Sequence, residues 1–246
     1  MRVSLAGLAV HYGHGRSTSM DIRYLLGRIS PNLAWLTRLS HYASLGEFVG
    51  CNRCPGFPDR VALYRWLSGT YVGNAPMCLI ELGVWKGETI AHWARVNANP
   101  ASRFIGLDTF EGLPEDWHHL FGKSPKGTFT ANGELPSNAD PRVGFRKGLI
   151  QNTLKSLLTE LQLGDSRLVV HFDADLYSTT LYGLATVDSV LLAGIGSYVA
   201  VFDEFSSAAD EYRAFRDYVA AFRRSYRVLG HVGRSFNQAA ISIFTA

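Results

Sequence analysis

Residues 171–180 read HFDADLYSTT, and the fold turns on them. The run RLVVHFD (167–173) is apolar enough for a strand covered on both faces, yet it ends in acids, Asp173 and Asp175, and passes at once into a helical pattern. A carboxylate at the rim of an apolar core is costly unless something binds it. What binds it decides much of what the chain does.

The same alternation extends both ways. Upstream, PDRVALYRWLSG (58–69) is a helix opened by Pro58 and Asp59 and stopped at Gly69. MCLIELG (77–83) is a strand, ETIAHWARVNA (88–98) a helix, RFIGLD (103–108) a strand and VGFRKG (143–148) a weaker one. NTLKSLLTELQLG (152–164) sets Leu154, Leu157, Leu158 and Leu161 at helical spacing. Downstream, STTLYGLATVDSVLLAG (178–194) is a helix capped by Ser178, SYVAVFDEF (197–205) a strand and DEYRAFRDYVAAF (210–222) a helix. YRVLGHVG and QAAISIF close the pattern as two strands joined by a turn near Arg234–Asn237. The expected fold is α/β: a doubly wound, mostly parallel seven-stranded sheet over 59–246, closed by an antiparallel hairpin. Residues 1–58, broken by Pro31, Pro55 and Pro58, read as an N-terminal arm or lid with short helices, and a homodimer contact is expected there.

Composition removes several classes. A net charge of +3 with no Lys/Arg block gives no footprint for nucleic acid. The longest apolar run, near Val190–Phe202, is interrupted by Gly194, Gly196 and Ser197, so no membrane span is expected, and the start MRVSLAGLAVHYGHGR has little charge before its short apolar stretch, so no secretory leader is expected. The pair Cys51 and Cys54 has metal-site spacing but lacks a second pair, and Cys78 sits in a strand. Reduced cysteines and a cytoplasmic location follow as expectations.

Parallel sheets bind ligands beyond the carboxyl ends of their strands. There the sequence places Glu81, Gly83 and Gly87, then Asp108, Thr109 and Phe110, then Gly148–Asn152, then Asp173 and Asp175, then Asp203 and Glu204. The first turn, ELGVWKGET, carries Trp85 where a dinucleotide fingerprint needs its middle glycine, which argues against a pyrophosphate and a nicotinamide oxidoreductase. S-adenosylmethionine has no phosphate. Glu81 suits its ammonium, Asp108 its ribose hydroxyls and Phe110 its adenine.

The segments IELGVWKGET, GLDTFEGLPEDW, GTFTANGELP, RKGLIQNTL, HFDADLYSTT and VAVFDEF, in this order, resemble a bacterial family of class I S-adenosylmethionine-dependent methyltransferases related to the macrocin O-methyltransferases. The resemblance covers about residues 59–246. It implies donor contacts at Glu81, Gly83, Asp108 and around Asn152, and a divalent metal, usually Mg²⁺, on Asp173 or Asp175 with Asp203 and Glu204. Glu204 departs from the Asp usual at its position. Carboxylates from two strand ends suit Mg²⁺, which can acidify a bound hydroxyl. The expectation is methyl transfer to a hydroxyl of a small-molecule acceptor, a sugar or secondary metabolite. Asp173, Asp203 and Glu204 serve the metal, and Asp175 serves as fourth ligand or base. Asp173 alternatively holds the donor's ammonium with no metal. His119, beside His118, is a second candidate base. The segment 122–141, without periodicity, reads as a substrate lid. Metal-free transfer to nitrogen, carboxylate or carbon, and donor binding without turnover, remain open alternatives.

Overall fold

Eight strands form one mixed sheet in the computed structural model, which describes residues 34–119 and 122–245. The strands are β1 (Gly56–Phe57), β2 (Met77–Leu82), β3 (Arg103–Asp108), β6 (Val143–Lys147), β7 (Arg167–Phe172), β8 (Ser197–Phe202), β9 (Ser225–Val232) and β10 (Gln238–Phe244), with β4 (Trp117–His119) and β5 (Gly122–Ser124) as a separate hairpin. Their order is β1-β9-β10-β8-β7-β2-β3-β6. Only β10 runs antiparallel to its neighbours, β8 and β9. All seven expected strands are present. The eighth, β1, is two residues long and leaves no pattern to read.

Among the described residues the helices that pack on the sheet include α1 (Ala34–Cys51), α2 (Arg60–Trp66), α3 (Glu88–Val96), α4 (Ile150–Glu160), α5 (Tyr177–Val187) and α6 (Glu211–Phe222). Strand alternation builds two cores. On one face Leu79, Val169, Val199 and Val201 meet Tyr64 of α2 and Trp93 of α3. On the other, Ile80, Val170, Phe172 and Phe202 meet Leu154 and Leu157 of α4, Leu184 and Val187 of α5, and Tyr212 and Phe215 of α6. Each such fully buried side chain contributes about 1.5–3 kcal/mol of transfer free energy.

Local expectations divide. Asp59 caps α2, its carboxylate accepting from the Ala62 N–H at 2.8 Å, but the helix runs past Gly69 as a wide turn to Val72. Ser178 does not cap α5. The helix starts at Tyr177, and the Ser178 hydroxyl donates to Glu115 Oε1 at 2.9 Å. The helical run Tyr177–Ile195 has the length and hydropathy of a membrane span, but Leu184, Val187 and Leu192 lie within the sheet's core cluster.

One compact unit spans Arg38–Ala246. Leu45 of α1 is in the core, and the Phe48 ring lies 5.5–6.3 Å from those of Phe205, Tyr212, Phe215, Tyr226 and Phe236. Residues 1–33 of the expected arm lie outside the described residues. The expected lid is pinned rather than free. Gly127 N donates to Leu113 O, Leu113 N to Thr128 O, and Ala131 N and Gly133 N both to Phe110 O. At its end Arg142 donates to the carbonyls of Ala94, Asn97 and Asn99 and pairs with Asp140, whose carboxyl falls to about 2.

Candidate active site

Parallel pairing brings the carboxyl ends of β2, β3, β6, β7 and β8 to one edge, where a cavity of about 300 Å³ opens. Of the residues singled out from sequence, Gly83, Asp108, Thr109, Asp173, Asp175, Asp203 and Glu204 line it. The chain turns sharply there. Gly83 has φ +91°, and a Cβ on it would stand 1.9 Å from the Asp173 carbonyl oxygen, so only glycine lets the β2 turn pass the end of β7.

Asp108 organises that turn. Its Oδ2 accepts from the N–H groups of Val84 (2.7 Å) and Trp85 (2.8 Å), and its Oδ1 from Phe110 N–H (2.8 Å). The carboxylate expected to hold a ribose diol thus spends most of its acceptor capacity on backbone, leaving fewer lone pairs for a ligand.

Five residues singled out from sequence lie off this cavity. Glu81 is fully buried behind the cavity wall and does not line it. It lies inside β2, opposite His171 in register, two residues short of the strand-end level of Asp173. Phe110 is fully buried and edge-on to Phe145, so it offers no face to a base. Asn152 is exposed within α4, and its neighbour Gln151 lines the cavity instead. Gly87 starts α3 at φ +77° and makes room for Pro136 without lining the cavity. His119 is absent from this cavity. It lies 5.0 Å from the Trp117 ring and lines a second one.

The strand-end acids are crowded. Burial, then Glu204 and Asp203, push Asp175 up to about 7, and its backbone is left-handed at φ +60°. Burial, then Asp203, push Glu204 to about 6. Asp173 is raised by burial and then by Asp203. Asp203 goes the other way. Burial alone would raise it, but His171, Arg60 and Tyr64 outweigh that and hold it low. Arg60 Nη1 donates to Asp203 Oδ2 at 3.4 Å and Tyr64 OH to Oδ1 at 3.5 Å, while His171 Nε2, at 3.8 Å, acts through its field alone. Glu211 of α6, fully buried, accepts the Glu204 N–H at 3.0 Å and fixes that corner.

The acids do not fit a metal ion as they stand. Among the described residues no three His, Cys, Asp or Glu side chains group closely enough to hold one, and Asp203 is engaged by Arg60 and Tyr64. The positive charge among them is Arg60, so the cluster suits a cationic organic ligand better.

A second cavity of about 690 Å³ shares Trp117 and Glu204 with the first. Tyr42, Leu45 and Val49 of α1 form its apolar wall, and Ser206, Ser207, Ser235, Asn237 and Arg234 supply polar groups. Sequence reasoning missed Arg60, Lys86, Thr179 and Trp117 as lining residues. Arg60 and Thr179 were hidden in helical periodicity. The proximity of Trp117 to the strand ends comes from the β4–β5 hairpin, which has no sequence signal.

No protein-family model matches the sequence, and no curated protein matches it. Solved structures match the fold. The O-methyltransferase NovP aligns with a TM-score of 0.53 and 19% identity, over 76% of this chain and 80% of that one. CalS11, a calicheamicin methyltransferase, aligns with a TM-score of 0.50 and 20% identity, over 86% and 82%. CmcI-N160 in its apo form aligns with 0.50 and 14%, over 76% and 72%. The chain has the class I, Rossmann-like methyltransferase fold.

Proposed function

We propose that this chain is an S-adenosylmethionine-dependent methyltransferase acting on a hydroxyl of a small molecule, with Asp175 as the general base. One observation carries the reading. The cavity at the strand ends gathers Asp173, Asp175, Asp203 and Glu204 around a single guanidinium, Arg60. Excess carboxylate in a partly buried site favours a cation, and this donor brings an ammonium and a sulfonium. NovP, an O-methyltransferase by name, and CalS11 lend the same fold.

Asp173, beside the Gly83 turn, is the carboxylate for the donor's ammonium, and Thr109 and the remaining acceptor capacity of Asp108 serve the ribose. Bound there, the donor supplies an electrophilic methyl group whose transfer to a hydroxyl oxygen releases a neutral thioether and one proton. Asp175 takes that proton. With a pKa of about 7 it is partly ionised at neutral pH yet basic enough to accept, the compromise a general base needs. Asp203, held by Arg60 and Tyr64, and Glu204, held by Glu211, keep the field around it fixed. The second cavity is the place for the acceptor, and its hydroxyl and amide groups suit a polyhydroxylated molecule such as a sugar or a secondary metabolite. A cytoplasmic enzyme, free of nucleic acid and membrane and dimeric through its N-terminal part, completes the proposal.

Metal assistance is a second reading, favoured by the resemblance alone. It requires Asp203 to leave Arg60. One calorimetric experiment separates the two: S-adenosylhomocysteine titrated into the protein with and without Mg²⁺, followed by methyl transfer to a panel of hydroxylated acceptors. Micromolar binding and turnover without Mg²⁺ support Asp175 as sole base. Turnover only with Mg²⁺ moves Asp175 to a supporting role. No binding under either condition removes the methyltransferase reading.

A further inference from the structure

We infer that Trp85 and Phe129 form the seat for the donor's adenine. The inference rests on the donor reading above and names the part of the site that grips the base. Its starting point is a vacancy of role: Phe110, the ring that follows Asp108, has no exposed surface and packs on Phe145. A flat base in this cavity therefore needs another aromatic partner.

Three part-exposed rings line the cavity, Trp85, Phe129 and Trp117; Trp117 also lines the second cavity beside Glu204, so the pair away from the strand-end acids is Trp85 and Phe129. Trp85 is 38% exposed and Phe129 41%. They come from different loops and meet at 5.7 Å between centroids with planes 69° apart. Both sit in the left-handed region, Trp85 at φ 49° and Phe129 at φ 63°, an unfavourable backbone for bulky side chains. Strain of this kind persists only where the surroundings impose it. Here they do. Asp108 Oδ2 holds the Trp85 N–H at 2.8 Å, and the indole Nε1–H donates to Thr130 O at 3.2 Å, beside Phe129. These bonds hold Trp85 at the cavity, with Phe129 against it, rather than in the core. Lys86 Nζ, 4.5 Å from the indole centroid, is an exposed head that a stacking base displaces.

The polarity of the cavity fixes which part of the donor goes there. The strand order β8-β7-β2-β3-β6 puts Asp203, Glu204, Asp173 and Asp175 at one end. The apolar surfaces of Trp85, Phe129, Leu113 and Leu149 come from the β2, β3 and β6 side and the segment pinned to it. A donor with a cationic head and an uncharged, flat base lies across these ends in one sense only, with its base on the rings. Stacking on an aromatic side chain needs no particular hydrogen-bond pattern.

The test uses S-adenosylhomocysteine and adenosine, titrated by calorimetry into the wild type, Trp85→Ala, Trp85→Phe and Phe129→Ala, with melting curves for each. Both ligands should weaken about tenfold or more in each alanine variant, by analogy with base-on-ring stacking elsewhere, and Trp85→Phe should recover most of the loss. Unchanged binding of both ligands in the alanine variants overturns the seat while leaving the donor reading intact. Loss of S-adenosylhomocysteine with adenosine unaffected assigns the rings to the amino-acid end and also overturns it. A wild type that binds no S-adenosylhomocysteine fails the donor reading itself, and this inference with it. Should Trp85→Ala not fold, Phe129→Ala decides alone, because Phe129 lies outside the glycine turn.

Discussion

His171 Nδ1 stands 3.6 Å from Glu81 Oε1, both side chains sealed from solvent, and neither Glu81 oxygen has a hydrogen-bond partner among the described residues. Trp93 Nε1–H donates to the same His171 Nδ1 at 3.3 Å, so that nitrogen is an acceptor and the ring proton faces Asp203. Burial, then the neighbouring Asp173 and Asp203, raises the Glu81 pKa well above the ordinary range.

A raised pKa has a definite sign in stability. The folded chain keeps a proton on Glu81 that the unfolded chain releases above about pH 4.3, so this group makes the fold less stable as pH climbs. Glu81→Gln carries no such burden. Its stability relative to wild type should grow between about pH 5 and 8, by up to about 1.4 kcal/mol per pH unit, as read from urea unfolding at several pH values. A difference that stays flat over that window would mean that Glu81 is already ionised in the folded chain.

Asp108→Asn should loosen the donor turn. The amide offers one acceptor oxygen and sets an NH₂ against N–H groups now bonded to Asp108, either those of Val84 and Trp85 or that of Phe110. A loss of about 2 kcal/mol or more is expected, seen as a lower melting temperature together with weaker S-adenosylhomocysteine binding. Weakened binding with unchanged melting would assign Asp108 to the ligand rather than the turn.

Gly83→Ala meets two obstacles, a left-handed φ of +91° and the Asp173 carbonyl 1.9 Å from the new Cβ. Backbone on both sides leaves no flexible atom to give way. The cost should exceed about 3 kcal/mol, visible as lost expression or a collapsed melting transition. A well-folded variant would show that the β2 turn and the end of β7 can separate.

Asp175→Asn should leave S-adenosylhomocysteine affinity close to wild type and cut kcat by about 10²–10⁴. In the wild type, activity should rise with pH through the Asp175 pKa of about 7 and be lost below it, because the base works ionised. A flat pH–rate profile from pH 6 to 8 would assign the proton to another group.

The seven main strands were legible because each is a short apolar run between turn residues, and a parallel sheet must gather their ends. That placed Asp173, Asp175, Asp203 and Glu204 together correctly. Direction and depth were not legible. Glu81 and Asp173 both close apolar runs, yet one is sealed opposite His171 while the other reaches the cavity, a difference set by strand register. Phe110 and Trp85 both sit at left-handed turns, yet Phe110 is buried against Phe145 while Trp85 stays open, a difference set by packing from distant segments. The contribution of α1 to the core was hidden because its aromatic partners lie more than 150 residues away.

The placement of β10 between β8 and β9 has a consequence for how the chain comes to be folded. During vectorial synthesis the apolar edge of β8 stays unpaired until residues 239–244 emerge, although every strand on its other side is already available. Strand β9, made earlier, has no sheet to join until β10 bridges it. The wing β1-β9-β10 must therefore assemble last, as one event. Until it does, the open margin of β8 invites pairing with other nascent copies. A chain stopped short of Gln238 would keep the parallel half of its sheet and lose its protection against aggregation.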